Sequence, residues 1–491
     1  MKLFDLLQAT QLNNQITHLK NIDIKGITEN SSQIEEGHIF VAIKGFERDG
    51  HIYIQDALDR GAALIIGENL EEDIEFPYIR VDNSRKCLAQ LAAILYGYPA
   101  QNKRIIGVTG TNGKTTTSYF IRHLLRSQGY TVGFIGTVLN EINGRKIDSN
   151  NTTPSASIIQ KLLSESNDDF IVIEVSSQGL DQYRMEGVTF DYALFTNLQK
   201  DHLMYHKTME NYFKAKEQLF HQLKPNGQAI VNIEDDWGKK LVTLLEERNI
   251  NYTTIAKTIA ADYHLSFSDA ENGQVKTRSG LYAIHSPMPG EHNFYNMIMA
   301  AAVLEKIGLP LEEILEDSMN LQGVPGRFEV YTFPKDVRVV IDYAHTTEAV
   351  KVLMETVHNL QPQAQVTHVF GFRSNRDTFK WEKMLKESSN WCHTIYLTIN
   401  DLLGTKIEDL KTNYEELAAI YPPDAIKVKM DRTCAIEEAI EQAPAHSWVV
   451  ITGKGHKEYT ESFHLPTESD RETVLHLKER MMDAHVTRVE G

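Results

Sequence analysis

The chain has 491 residues, 42% of them hydrophobic and 24% charged, which suits an ordered globular protein of about three domains at roughly 100–200 residues each and excludes disordered and collagen-like classes. Its formal charge of −17 argues against a general nucleic-acid binder, which needs a basic face, but leaves room for an anionic small substrate held by local cations and backbone N–H groups. No apolar run reaches the ~18 residues of a membrane span, Met1 to Thr10 lacks a signal-peptide pattern, and Cys87, Cys392 and Cys434 lack metal-ligand spacing, so a cytoplasmic protein with reduced thiols is expected.

Residues 1–98 form an N-terminal segment that closes at the turn cluster Tyr96-Gly-Tyr-Pro-Ala. Short β-branched runs then alternate with amphipathic stretches: Arg104 to Thr109, Thr116 to Ser127, Thr131 to Gly136, Ser157 to Ser164, and Phe170 to Val175. This rhythm predicts a parallel sheet wound with helices on both faces, in a domain over 99–325. Beyond Gly323-Val-Pro-Gly-Arg it restarts with Val337 to Asp342, Glu348 to Leu360, Val366 to Gly371, Thr394 to Thr398 and Trp448 to Thr452. A second wound α/β domain is expected over 326–491. There is no internal repeat and no low-complexity tract.

The most informative stretch is Ile105-Ile-Gly-Val-Thr-Gly-Thr-Asn-Gly-Lys-Thr-Thr-Thr, an apolar strand that runs into a glycine-rich turn and then a helix beginning at the threonines. In such a turn, backbone N–H groups of Gly110, Thr111, Asn112 and Gly113 can close around phosphate oxygens, and the helix start at Thr115 and Thr116 adds its positive dipole end. Lys114 supplies a point charge and Thr115 a hydroxyl for Mg2+. Val108 stands where the strict Walker pattern has its first glycine, and Gly107, Gly110 and Gly113 recur every third residue instead. Thr109-Gly-Thr-Asn-Gly-Lys-Thr-Thr resembles the phosphate loop of Mur ligases and their folylpolyglutamate synthetase relatives. Those enzymes make an acyl phosphate from a carboxylate and ATP, then let an amine attack it. The resemblance implies a three-domain α/β architecture: an N-terminal uridine-binding domain, a central P-loop ATPase-type wound sheet and a C-terminal Rossmann-like domain.

Glu174 ends a buried strand and Asp201-His202 follows Thr196-Asn-Leu. A carboxylate and a histidine at the C-terminal ends of strands can reach a Mg2+ beside the phosphates, and the resemblance implies that Glu174 and His202 are its ligands together with Thr115. Lys216, within Tyr212-Phe-Lys-Ala-Lys-Glu-Gln-Leu-Phe, aligns with the family lysine that becomes carbamylated. Lys114, Glu174, His202 and Lys216 are thus the implied catalytic residues. Asn151-Thr152-Thr153-Pro, Ser176, Gln182 and Arg184 match the residues that hold the uridine-linked muramoyl peptide in the tripeptide-synthetase branch of the family. Amide and hydroxyl groups suit its sugar and peptide atoms, and an arginine suits a carboxylate. At Ser31-Ser32-Gln33 the family prefers Asp-Ser-Arg, so Ser32 alone is kept.

In the last third, Asn293 and Asn296 resemble the family's asparagine pair near the adenine. Arg327 and Asp342, in Gly323-Val-Pro-Gly-Arg-Phe-Glu and Asp342-Tyr-Ala-His-Thr, match the hinge and the ATP-side strand. An arginine there can neutralise a transferring phosphate and an aspartate can accept from ribose or orient a cation; a structural turn and a capped strand end are the alternatives. The acceptor region departs from the family pattern. Gly371-Phe-Arg-Ser-Asn-Arg-Asp retains Arg376, the position that holds an acceptor carboxylate. Asn400-Asp401-Leu402-Leu403 replaces Asp-Asn-Pro-Arg, and Gly453-Lys-Gly-His-Lys457 replaces Gly-Lys-Gly-His-Glu. Contacts to both distal groups of meso-diaminopimelate are lost, leaving Asp401, Gly453 and Lys457 around an acceptor expected to be another amino acid.

The resemblance therefore implies an ADP-forming ligase of peptidoglycan precursor synthesis that uses ATP and Mg2+. Its donor would be UDP-N-acetylmuramoyl-L-alanyl-D-glutamate and its partners small molecules, with no nucleic acid, no membrane and a monomeric state. A paralogue joining a different carboxylate and amine, and a nucleotide-binding protein without ligase activity, are the other two readings. Intact Lys114, Thr115, Glu174, His202 and Lys216 weigh against the last.

Overall fold

The computed structural model describes residues 1–10, 22–46, 48–69, 76–149, 151–321, 323–372 and 379–489. The chain divides into two compact units, residues 1–263 with 298–311, and 264–297 with 312–491. In the first unit, four short parallel strands, Gly26–Thr28, His38–Val41, Leu64–Gly67 and Tyr78–Arg80, lie side by side in chain order. Ile39, Phe40, Val41, Leu64, Ile65 and Ile66 are fully buried, so the strands are covered on both faces, as parallel strands require. The helix Ser84–Leu95 packs there, started by Asn83, whose side chain accepts from Lys86 N at 2.9 Å.

The same unit holds eight further strands in the order Arg145–Ile147, Asn140–Ile142, Val132–Ile135, Phe170–Glu174, Ile105–Thr109, Phe190–Phe195, Leu223–Asn232 and Asn251–Ala256. All pairings are parallel except those of the hairpin at the first edge. Ile105–Thr109 lies between two strands that come later in the chain, and register places Glu174 beside Val108 and Phe195 beside Thr109. The C-terminal ends of three strands therefore open on one side, where ligands bind in wound sheets. The next helix starts at Lys114 rather than at the threonines, because Gly113 takes φ +86° and turns the chain directly into Lys114–Ser127.

The second unit contains a six-stranded sheet ordered Glu329–Phe333, Val337–Asp342, Trp448–Thr452, Val366–Phe370, Thr394–Leu397 and Ile426–Val428, parallel except for the first pair. Beneath its C-terminal edge lies a buried ion pair. Arg432 and Asp470, both 0% exposed, meet through Nε–Oδ1 at 2.6 Å and Nη2–Oδ2 at 2.7 Å. Arg432 also donates to the carbonyls of Ile399 and Thr452. Apart from that sheet, residues 272–285 form an antiparallel pair, Asn272–Lys276 with Leu281–His285. No described helix is long and apolar enough to cross a membrane.

Candidate active site

The glycine-rich loop is tied down by the segment that follows Phe190–Phe195. Thr196 Oγ1 and Asn197 Nδ2 donate to Asn112 O at 2.6 and 3.1 Å, Asn112 N donates to Asn197 Oδ1 at 3.0 Å, and Asn112 Nδ2 donates to Gln199 Oε1 at 2.8 Å. Gly110, at φ +149°, has no room for a Cβ, which would collide with Thr196 Oγ1. Lys114 Nζ lies over the loop and donates to Gly110 O and Thr111 O at 2.8 and 2.9 Å. The loop's shape is thus held by side chains of the protein itself, which suits phosphate binding through backbone N–H groups.

Glu174, fully buried at the end of its strand, accepts from Thr115 Oγ1 at 2.7 Å, Thr137 Oγ1 at 2.8 Å and Thr137 N at 3.0 Å. Thr137 Oγ1 also reaches Thr152 Oγ1 at 3.0 Å. Thr153 Oγ1 donates to Glu174 O at 2.8 Å and accepts from Ser176 N at 2.9 Å. Ser176 Oγ then caps the helix Ser177–Asp181 by accepting from Gly179 N. These bonds bring Thr115, Glu174, Thr152, Thr153 and Ser176 into one network. Thr137 was missed in the sequence, although Ile135-Gly-Thr repeats the strand-end pattern of Val108-Thr-Gly-Thr. Arg184 joins this group by donating to Thr153 O at 2.6 Å and to Gln182 Oε1 at 2.8 Å. Asn151 is exposed beside the network, and Ser32 sits in a separate turn where its N and Oγ donate to Asn30 Oδ1.

Thr115 and Glu174 are hard oxygen donors in direct contact, chemistry that fits a Mg2+ beside phosphate. His202 is arranged differently. It takes φ +52°, and its Nε2 lies 3.4 Å from Asp201 Oδ2. Among the described residues no three His, Cys, Asp or Glu side chains converge as a metal-ligating group. Lys216, 1% exposed, donates to Gly110 O at 2.7 Å and lies over the Tyr212 ring. Burial first, and the charge of Lys114 second, hold its pKa well below the usual lysine value, with Asp201 opposing.

In the second unit Asn293 Nδ2 donates to Pro289 O at 2.9 Å, and Asn296 Nδ2 to Asn293 Oδ1 at 3.2 Å, so the two form a buried pair. Asp342 accepts from Phe328 N and Ala344 N at 2.9 and 2.7 Å. It thus holds the turn after Arg327, as a capped strand end does. Burial raises its pKa, against Arg327 and these N–H groups. Arg327 lies over the Tyr343 ring at 4.6 Å, and Lys457 approaches that ring at 5.6 Å. Asp401 accepts from the buried Lys454 at 2.7 Å, and Gly453 at φ +102° leaves space for Asn400 Nδ2. Asn400 is buried, and its Oδ1 has no hydrogen-bond partner among the described residues. Leu403 is exposed at φ +47°, and Arg376 lies outside the described residues.

Three family models match the chain: Mur ligase family, catalytic domain, over residues 23–96; Mur ligase middle domain over 108–304; and Mur ligase, glutamate ligase domain over 326–455. The chain belongs to the Mur ligase family, whose members are ATP-dependent, ADP-forming ligases. Its relatives include the UDP-N-acetylmuramoyl-L-alanyl-D-glutamate–2,6-diaminopimelate ligase of Fusobacterium nucleatum, 34% identical over 89% of this chain and 91% of that one. The ligase of the same name from Clostridium tetani is 33% identical over 94% and 95%. A solved structure of a ligase with this name superimposes with a TM-score of 0.67 at 26% identity, covering 99% of both chains. The MurF ligase of Thermotoga maritima in complex with ADP gives 0.66 at 20% identity, over 94% of this chain and 98% of that one, a likeness of fold alone.

Proposed function

We propose that this chain is an amide ligase that activates the carboxylate of UDP-N-acetylmuramoyl-L-alanyl-D-glutamate with ATP and joins it to an amino acid in peptidoglycan precursor synthesis. The relatives named for that donor support the reading. The observation that carries it is the bonded path Thr115–Glu174–Thr137–Thr152, which runs from the phosphate loop to residues expected to hold the donor.

In this reading the donor carboxylate attacks the γ-phosphorus of ATP, giving an acyl phosphate and ADP. The acceptor amine then attacks the acyl carbon and phosphate leaves. Lys114 and the loop N–H groups hold the phosphates and stabilise charge that grows during transfer. Thr115 and Glu174 are the side chains that would hold Mg2+, which when bound neutralises phosphate charge. Asn293, Asn296, Arg327 and Asp342 are the further residues that the family resemblance assigns to the nucleotide.

The acceptor carries a neutral or acidic distal group rather than that of meso-diaminopimelate. The relatives' names point to diaminopimelate, but Leu403 stands where an arginine would pair with its distal carboxylate. Lys457 likewise stands where a glutamate would face its distal ammonium. Losing one partner of such charge-assisted pairs costs ~2–5 kcal/mol, and Lys457 adds repulsion. The test is to incubate the protein with the donor, ATP and a panel of amino acids, follow phosphate release and identify the product by mass spectrometry. No donor-dependent phosphate release would end the ligase reading. Best turnover with meso-diaminopimelate or L-lysine would end the acceptor reading alone.

A further inference from the structure

Two guanidinium groups meet on one neutral oxygen in the first unit. Arg184 Nη2 donates to Gln182 Oε1 at 2.8 Å, and Arg85 Nη1, from the helix Ser84–Leu95, donates to the same atom at 3.2 Å. The remaining bonds of both arginines go to backbone carbonyls, Arg184 to Thr153 O at 2.6 Å and Arg85 to Lys44 O at 3.3 Å. Neither forms an ion pair with a carboxylate among the described residues. Gln182 is fixed from its other end, since its Nε2 donates to Tyr205 OH, which donates to Asp181 at 2.5 Å. Phe46, largely exposed, lies edge-on to the Tyr205 ring, with the Arg85 guanidinium over its face at 5.7 Å.

Holding two like charges together without a carboxylate in contact is unfavourable. Burial and the neighbouring Arg85 both lower the pKa of Arg184, while Glu29, which accepts from Ser157 Oγ at 2.8 Å, only partly opposes them. In a chain of net charge −17, such a pair stands out as a place prepared for an anion. A planar fork on each side matches the paired oxygens of a phosphate or a carboxylate.

We propose that Arg85 is a donor-binding residue that forms, with Arg184 across Gln182 Oε1, a two-arginine clamp for an anionic oxygen group of the donor. This rests on the ligase reading above. The group is either a phosphate of the donor's diphosphate or a free carboxylate of its peptide.

The test is calorimetric binding of UDP-N-acetylmuramoyl-L-alanyl-D-glutamate to the full chain and to Arg85→Ala and Arg85→Lys, with ATP binding and thermal midpoint measured alongside. Arg85→Ala is expected to weaken donor binding about tenfold or more and to flatten its salt dependence. ATP affinity and melting should be preserved, and Arg85→Lys should recover part of the loss. Competition by UDP-N-acetylglucosamine, which has the diphosphate and no peptide, separates the sources. If its affinity falls in parallel, the clamp holds the diphosphate; if it is unchanged while donor binding falls, the clamp holds a peptide carboxylate. A loss of donor affinity below tenfold in Arg85→Ala overturns the clamp and leaves the ligase reading intact. Failure of the wild-type chain to bind the donor overturns both.

Discussion

Lys114 and Lys216 donate to one acceptor, the carbonyl oxygen of Gly110, at 2.8 and 2.7 Å. One lysine starts the loop helix and the other lies a hundred residues later on the helix Met209–His221. The loop carbonyl therefore fixes the spacing of two lysine amino groups beside the glycine-rich loop, one half-buried and one fully buried.

Lys114→Ala should lower turnover by about 100-fold or more, because in the proposed reaction this cation stabilises charge that develops on the transferring phosphoryl group. The fold should survive, since loop shape depends on Thr196, Asn197 and Gln199. Phosphate release measured beside a melting curve checks both parts. A variant that keeps a tenth of wild-type turnover would contradict the assignment.

Lys216→Ala should be nearly inactive, and short-chain carboxylic acids should restore part of its turnover, as expected if the native lysine carries a carbamate. The downward shift of its pKa, caused first by burial, favours the neutral amine, the form that takes up CO2. Lys214, exposed on the same helix, is the control, and Lys214→Ala should be close to wild type. Equal losses in both variants without rescue would remove the carbamate from the account.

A pH effect follows from His368, buried between Ser388 Oγ at 2.7 Å and Thr452 Oγ1 at 2.9 Å, with its pKa lowered to about 3 by burial first and Arg432 second. The unfolded chain binds a proton near the ordinary histidine value of 6.5 and the folded chain does not, so stability falls as pH drops below 6.5 until about 3. Between pH 6.5 and about 5 the loss from this one residue is ~2 kcal/mol. His368→Gln should flatten the acid limb of stability against pH, read from urea titrations across that window. An unchanged acid limb would show that His368 is protonated in the folded state.

Asp470→Asn should destabilise the second unit by ~3–5 kcal/mol, because it leaves the Arg432 charge buried without its partner. Replacing both residues by Met and Leu should cost less. Since Arg432 also holds the carbonyls of Ile399 and Thr452, the residues just before Asn400-Asp401 and Gly453-Lys454, the single variant should raise the acceptor KM more than the ATP KM. Equal changes in the two constants would assign the pair to stability alone.

Much of this was legible in the sequence because the strands are buried on both faces and their apolar runs are continuous. Ile105–Thr109, Phe170–Glu174, Val337–Asp342 and Trp448–Thr452 appear where β-branched runs predict them. The hairpin Asn140–Ile142 with Arg145–Ile147 went unread, although Asn143-Gly144, both at positive φ, is a tight-turn signal; its strands are too polar and short to announce themselves. The roles of Arg85 and Thr137 were hidden for another reason, although Thr137 stands in a strand-end pattern like that of the phosphate loop. Each gains its meaning only from a partner far along the chain, Gln182 and Glu174, and no local spacing encodes such a pairing.

Glu174 has one carboxylate to share between Thr115, on the nucleotide side, and Thr137, whose hydroxyl also reaches Thr152. A Thr115 hydroxyl that turns toward a cation releases one of the bonds to Glu174 and changes what Thr137 can offer to Thr152. In the ligase reading proposed above, occupancy at one end of the path would alter affinity at the other, and linkage would make that influence mutual: whatever factor nucleotide contributed to donor affinity, donor would return to nucleotide. In the proposed ligase, a buried carboxylate with three donors would thereby link the two ligands through the protein as well as through their own reacting atoms.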